Sequence, residues 1–158
     1  MADAKIATYR NGGKLLDSAI AGLSLAELRA YPVPKTWSIA EITLHLMDSD
    51  LVLSDRMKRV IAEDNPTLIG FDESAFARNL FYNRLDPHAA ADIFNRNRLF
   101  MSSILEHLPE NAYQRVGTHN QRGKITLGAM LQTCIDHLEH HIKFILHKRQ
   151  LLGKPIRR

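Results

Sequence analysis

The sequence predicts an all-α protein built as a four-helix bundle, and three observations carry that prediction. Proline and glycine cut the chain into long blocks whose apolar residues recur at helical spacing. Two block starts carry capping boxes and a third carries an Asp-Pro start. Strand signals are nearly absent: no alternating run exceeds a few residues, and no Asn-Gly turn joins β-branched segments.

The first helix is expected over about residues 3–22, with Ile6, Leu15, Leu16, Ala19, Ile20 and Leu23 as its apolar side. Gly12-Gly13 interrupts it, and each glycine costs a helix roughly 1 kcal/mol relative to alanine. Ser24 to Glu27 reads as a capping box for a short turn, and Pro32 and Pro34 force an extended passage. Ser38-Ile39-Ala40-Glu41 is a second capping box, opening a helix over 39–62 that Pro66 follows. A longer crossover over 67–86 separates the second and third helices and holds a short helix near Asp72–Asn79. Asp86 caps the third helix with Pro87 at its first position. That helix runs to about Leu108 with Ala90, Ile93, Phe94, Met101, Ile104, Leu105 and Leu108 on one face. Residues 110–125 are polar and read as a loop. The last helix is expected from about Thr126 to Leu152, ended by Gly153 and Pro155. Residues 1–152 are thus expected to form a single domain and 153–158 a basic C-terminal tail.

With 158 residues the chain can bury a proper core. No run of 18 apolar residues is present, so no membrane partner is expected, and MADAKIATYR lacks the apolar segment of a signal peptide. The single cysteine, Cys134, has no partner for an internal disulfide, so a reducing cytoplasm is the expected compartment. The net charge of +4 gathers near the end, at Lys143, Lys148, Arg149, Lys154, Arg157 and Arg158. Cations in a last helical turn offset the helix dipole, and no aromatic residue interleaves with them as stacked bases require. Nucleic acid is therefore not an expected partner. Nucleophile elbows, phosphate-cradling glycine loops and dinucleotide fingerprints are all missing.

Chemistry concentrates in Asp136-His137-Leu138-Glu139-His140-His141. Histidines four apart on a helix share a face and suit two ligands of one metal ion. With His137 at zero, the apolar residues Leu127, Met130, Leu131, Cys134, Leu138, Ile142 and Ile145 fall between about 20° and 140°, and His141 falls at about 40°. His140 and His147, near about 300° and 280°, point outward, as does Glu139. His45 stands at the edge of its own apolar stripe, so facing helices can bring all three histidines together. Spacing by itself does not decide between a metal site and hydrogen-bonded rim histidines. Cys134 is a candidate fourth ligand or a small core residue. Asp48 and Asp136 are candidates to orient the imidazoles, and His119 and Arg122 to line the pocket mouth.

Trp37-Ser38-Ile39-Ala40-Glu41-Ile42-Thr43-Leu44-His45-Leu46-Met47-Asp48 resembles the tryptophan-serine-to-histidine segment of the DinB/YfiT-like superfamily. Gly123-Lys124-Ile125-Thr126-Leu127 and His137-Leu138-Glu139-His140-His141-Ile142 are similar to that family's last helix and its approach. The resemblance covers nearly the whole chain and implies the same bundle. It also implies one metal ligand on the second helix and a His-x3-His pair on the last, which fall on His45, His137 and His141. Lys143-Phe144-Ile145 stands where many relatives carry a glutamine soon after the last ligand.

The resemblance implies a metal-dependent enzyme acting on a small molecule, either a hydrolase or a transferase that uses a low-molecular-weight thiol. Thiol transfer is expected first, because no general-base carboxylate is legible beside the ligands and a bound thiolate needs none. A divalent ion is implied, with zinc or nickel ahead of iron or manganese. A homodimer is the implied assembly. The alternative from another class is a helix bundle that binds metal or a ligand without turnover, in a stress response.

Overall fold

The computed structural model describes residues 2–156. Four long helices dominate: α1 (Ala2–Ile20), α3 (Ile39–Ala62), α5 (Pro87–Leu105) and α6 (Leu127–Leu151). Two short helices, α2 (Leu25–Arg29) and α4 (Glu73–Asn79), lie in the connections. Both capping boxes form: the Ser24 and Ser38 side chains accept the Glu27 and Glu41 backbone N–H groups, and each glutamate returns the bond. Asp72 and Asp86 cap α4 and α5. The expected all-α bundle is therefore the observed one.

Neighbour relations in the bundle do not follow chain order. α1 packs against α5 and α6, and α3 packs against the same two. α1 and α3 thus sit on one diagonal and α5 and α6 on the other, while the long crossover joins two neighbours, α3 and α5. α3 and α6, which carry the three histidines, end up side by side.

One expectation fails at 110–125. That stretch holds a 3-10 turn over Glu110–Gln114 and a hairpin of β2 (Val116–His119) and β3 (Gly123–Thr126). β1 (Thr67–Leu68), from the crossover, pairs in parallel with β2. Strands of two and four residues are too short for alternation to register in sequence. Gly123, at φ 74°, supplies the left-handed residue that ends the turn. The small sheet clamps the crossover to the approach of α6 and roofs one end of the bundle. Two smaller departures concern α5, which ends at Leu105 rather than near Leu108, and Ile93, which is exposed rather than in the core face.

Two large apolar groups make up most of the core, with Leu44, Tyr82 and Ala90 forming a smaller third. Leu16, Ile20, Ile39, Ile42, Leu46, Phe94 and Ile142 belong to one large group, and Tyr9, Met57, Val60, Met101, Leu127 and Leu131 to the other. The ion pair of Asp50 and Arg98 is buried with them, 2% and 1% exposed. Arg98 donates to Asp50 (Nε–Oδ1 2.9 Å) and to the carbonyls of Tyr9 and Cys134, and lies against the Tyr9 and Phe94 rings. Asn97 and Tyr9 also donate to the Asp50 carboxylate. A Cβ on Gly12 would fall 2.2 Å from Arg98 Nη1, and one on Gly13 2.0 Å from Asn95 Oδ1. The glycine pair that weakens α1 locally is what lets α5 approach it.

The basic end of the chain is less free than expected. Lys148 and Arg149 are buried. Arg149 donates to the carbonyls of Ala19 and Ala21, where the end of α1 leaves acceptors unpaired, and to that of Lys154. Arg157 and Arg158 lie outside the described residues. Among the described residues no helix is long and apolar enough to cross a membrane.

Candidate metal centre

His45 is delivered by the second turn of α3, downstream of the Ser38 cap, and is fully buried. Trp37, just before the cap, lays its ring 4.8 Å from the imidazole. His137 and His141 come from adjacent turns of α6. His137 Nε2 lies 3.0 Å from His45 Nε2 and 3.1 Å from His141 Nε2. The three histidines singled out by helical periodicity are thus brought together, and His140 and His147 are exposed.

This arrangement suits a shared cation better than a hydrogen-bonded cluster. A ring nitrogen carries one proton or one lone pair in one direction, so His137 Nε2 cannot satisfy both neighbours at once. Three nitrogens bound tetrahedrally at ordinary zinc distances lie about 3.3 Å apart, close to the observed spacing. The protonation state also fits. Burial first, then the charges of His137 and His141, push the pKa of His45 down to about 3. Burial, then Arg98 and His140, push His137 down to about 4. Burial, then His137 and His140, do the same to His141, also to about 4. All three rings are neutral near pH 7, the form that ligates metal. Ser49 Oγ lies 3.4 Å from His45 Nδ1 and fixes that ring from behind, whereas His141 Nδ1 is buried with no partner among the described residues.

The remaining candidates divide. Neither aspartate touches the histidines: Asp48 accepts from the Tyr82 hydroxyl and Asp136 from Gln132. Cys134 is buried in the apolar core, outside the histidine cluster, and burial pushes its thiol pKa up. His119 and Arg122 do reach the mouth. With Arg56, Gly70, Glu73 and His137 they line a cavity of about 130 Å³. His119 is buried at the end of β2, and its Nδ1 accepts from the Gln121 N–H. On the other side of the cluster, His141, Val33, Trp37, Ile42 and Phe144 line an apolar cavity of about 420 Å³.

Glu73 and Arg56 were not legible beforehand. Glu73 opens α4, and its Oε2 lies 3.9 Å from His45 Nε2. The Asp72 cap marks where α4 starts, but nothing in the sequence says that the crossover folds back over α3.

A family model described as the DinB superfamily matches residues 8–145. The chain belongs to the DinB superfamily. A relative in Bacillus licheniformis, provisionally named a metal-dependent hydrolase, is 26% identical over 149 residues, 94% of this chain and 85% of that one. A second in Oceanobacillus iheyensis, named in the same way, is 25% identical over 132 residues, 84% of this chain and 76% of its own. The solved structure of YfiT from Bacillus subtilis, described as a probable metal-dependent hydrolase with an unusual four-helix bundle topology, superposes with a TM-score of 0.90. It is 22% identical and is matched over 96% of this chain and 87% of its own. The mycothiol-dependent maleylpyruvate isomerase shares the fold at TM-score 0.72 and 13% identity, over 90% of this chain and 60% of its own. Metal-dependent relatives together with the three-histidine cluster point to a divalent metal ion.

Proposed function

We propose that this DinB-superfamily protein is a metal-dependent hydrolase of small molecules, with one divalent ion held by His45, His137 and His141 and with Glu73 as general base. The observation that carries this reading is the convergence of three neutral imidazoles with a carboxylate oxygen 3.9 Å from one of them. A divalent ion held by His45, His137 and His141 would keep its full charge, and it would supply Lewis acidity and lower the pKa of a water toward about 7. The residues of the chain do the rest. Ser49 and Trp37 hold the His45 ring in place. Glu73, half-exposed on the cavity wall, is placed to accept a proton at Oε2 and release it to solvent. Thiol transfer ranks first only while no base is in view, and Glu73 removes that ground.

Elemental analysis of tag-free protein tests the ligand set. About one ion per chain is expected in wild type, in Glu73→Gln and in His140→Ala, with loss in His45→Ala, His137→Ala and His141→Ala. Equal metal in all of them overturns the site. On a panel of small esters and amides, Glu73→Gln should lower kcat by about 10²- to 10⁴-fold with metal retained. Turnover only with an added thiol would reassign the protein to thiol transfer, and no turnover would make it a binding protein.

A further inference from the structure

We propose that the cavity beside the histidine cluster recognises an oxyanion carried by the substrate, a carboxylate or a phosphate, through Arg56 and Arg122. The inference rests on the reading of the cluster as the reaction centre, and it names the substrate class that centre accepts.

The two guanidinium groups reach the cavity from different elements, Arg56 from α3 and Arg122 from the turn between β2 and β3. Elsewhere on α3 the arrangement is different: Arg59 is paired with both Asp55 and Glu63. Among the described residues neither Arg56 nor Arg122 has an ion-pair partner. Arg56 donates to the Ile69 carbonyl, while its Nε is buried with no partner at all. The cavity is thus lined by two cations that no carboxylate among the described residues pairs with, and an acidic acceptor entering it can take their donors.

The electrostatics agree. Burial and then the Arg122 charge push Arg56 down from its ordinary value, so the two cations feel each other. Both also push His119 down, after burial, so the same pair acts on a third wall of the cavity. Glu73 is the one carboxylate among the cavity-lining residues, and it sits against His45. An oxyanion between the guanidiniums would relieve their repulsion and take charge-assisted hydrogen bonds from planar donors suited to it. With its anionic end held there, a substrate would present its neighbouring atoms to His137 and Glu73, which line the same cavity.

The test is calorimetric titration with succinate and with inorganic phosphate, the two arms separating the carboxylate source from the phosphate source. The proteins are the metal-loaded wild type, Arg122→Gln, Arg56→Gln, the metal-free His45→Ala variant and, as control, Lys124→Gln on the same hairpin. Among the described residues Arg122 makes no hydrogen bond, so its replacement leaves the fold intact even if Arg56→Gln disturbs the Ile69 turn. At least one anion should bind wild type, weaken about tenfold in each arginine variant, and bind normally to Lys124→Gln and His45→Ala. Failure of both anions to bind wild type overturns the inference. So does equal weakening in Lys124→Gln, which would mean bulk charge. Binding that survives Arg122→Gln but disappears in His45→Ala overturns it too. That pattern would put the anion on the metal and leave the three-histidine reading standing.

Discussion

Replacing Arg98 by methionine leaves the Asp50 carboxylate, 2% exposed, without its counter-ion, and removes the donors to the Tyr9 and Cys134 carbonyls. Breaking a buried pair from one side costs about 3–5 kcal/mol, because the surviving charge cannot return to water. In a chain of this length each kcal/mol moves Tm by about 2–4 °C, so a drop of about 6–20 °C is expected. Asp50 has one escape, which is to take a proton. Burial already pushes its pKa up, and Arg98 is the largest influence holding it down. In Arg98→Met the folded-state pKa, already raised in the wild type, therefore rises further above the unfolded value, so the penalty should be small at low pH and grow as pH increases through that window. The double variant Asp50→Asn/Arg98→Met removes the charge but keeps a side chain to pair with Asn97 and Tyr9, and should recover about half the loss. Thermal unfolding by circular dichroism at pH 5 and pH 7 on wild type, both single variants and the double variant reads all of this. A single variant within about 1 kcal/mol of wild type would refute the argument. So would a double variant no better than Arg98→Met alone.

Three further outcomes follow from the same packing. The three cluster histidines have folded-state pKa values of about 3, 4 and 4, below the ordinary 6.5, so the unfolded chain binds protons the native state refuses. Stability of the metal-free protein should thus be full above about pH 6.5 and fall as pH drops from there toward 4; a Tm-against-pH profile no steeper than that of the triple alanine variant would contradict this. Gly13→Ala, which on an exposed helix gains about 1 kcal/mol, should here cost about 1–3 kcal/mol, because its Cβ meets Asn95; a denaturant midpoint equal to wild type would show that α5 can yield. Cys134, buried with its thiol pKa raised, should resist iodoacetamide in the native state and react only on unfolding, so rapid native alkylation followed by mass spectrometry would place it nearer the surface.

How much of this was legible depended on whether a feature is written locally. Capping boxes at Ser24 and Ser38 and the Asp86-Pro87 start are local, and each stands where the sequence puts it. The inward set of α6 was readable because one long helix keeps its phase over 25 residues. Glu73, Arg56 and the Asp50–Arg98 pair were not, since each acquires its meaning from an element distant in sequence. Asp50 and Arg98 look like ordinary surface charges in any window around them. The β2–β3 hairpin escaped because four-residue strands carry no period, and Gly12-Gly13 looked like a weakness because its benefit lies on α5.

The packing of α6 beside α3 also has a meaning for biosynthesis. His45 and His137 meet across a separation of 92 residues, and α6 is made after the other three long helices. A chain emerging from the ribosome can complete its caps and its first helices while the histidine cluster is still one ligand short of a pair. Long-range closure is the slow, entropically costly part of assembly. Any metal held by all three histidines is therefore captured only after α6 has been made and has docked beside α3, and the loaded fraction in a cell would report how much of the bundle has finished folding.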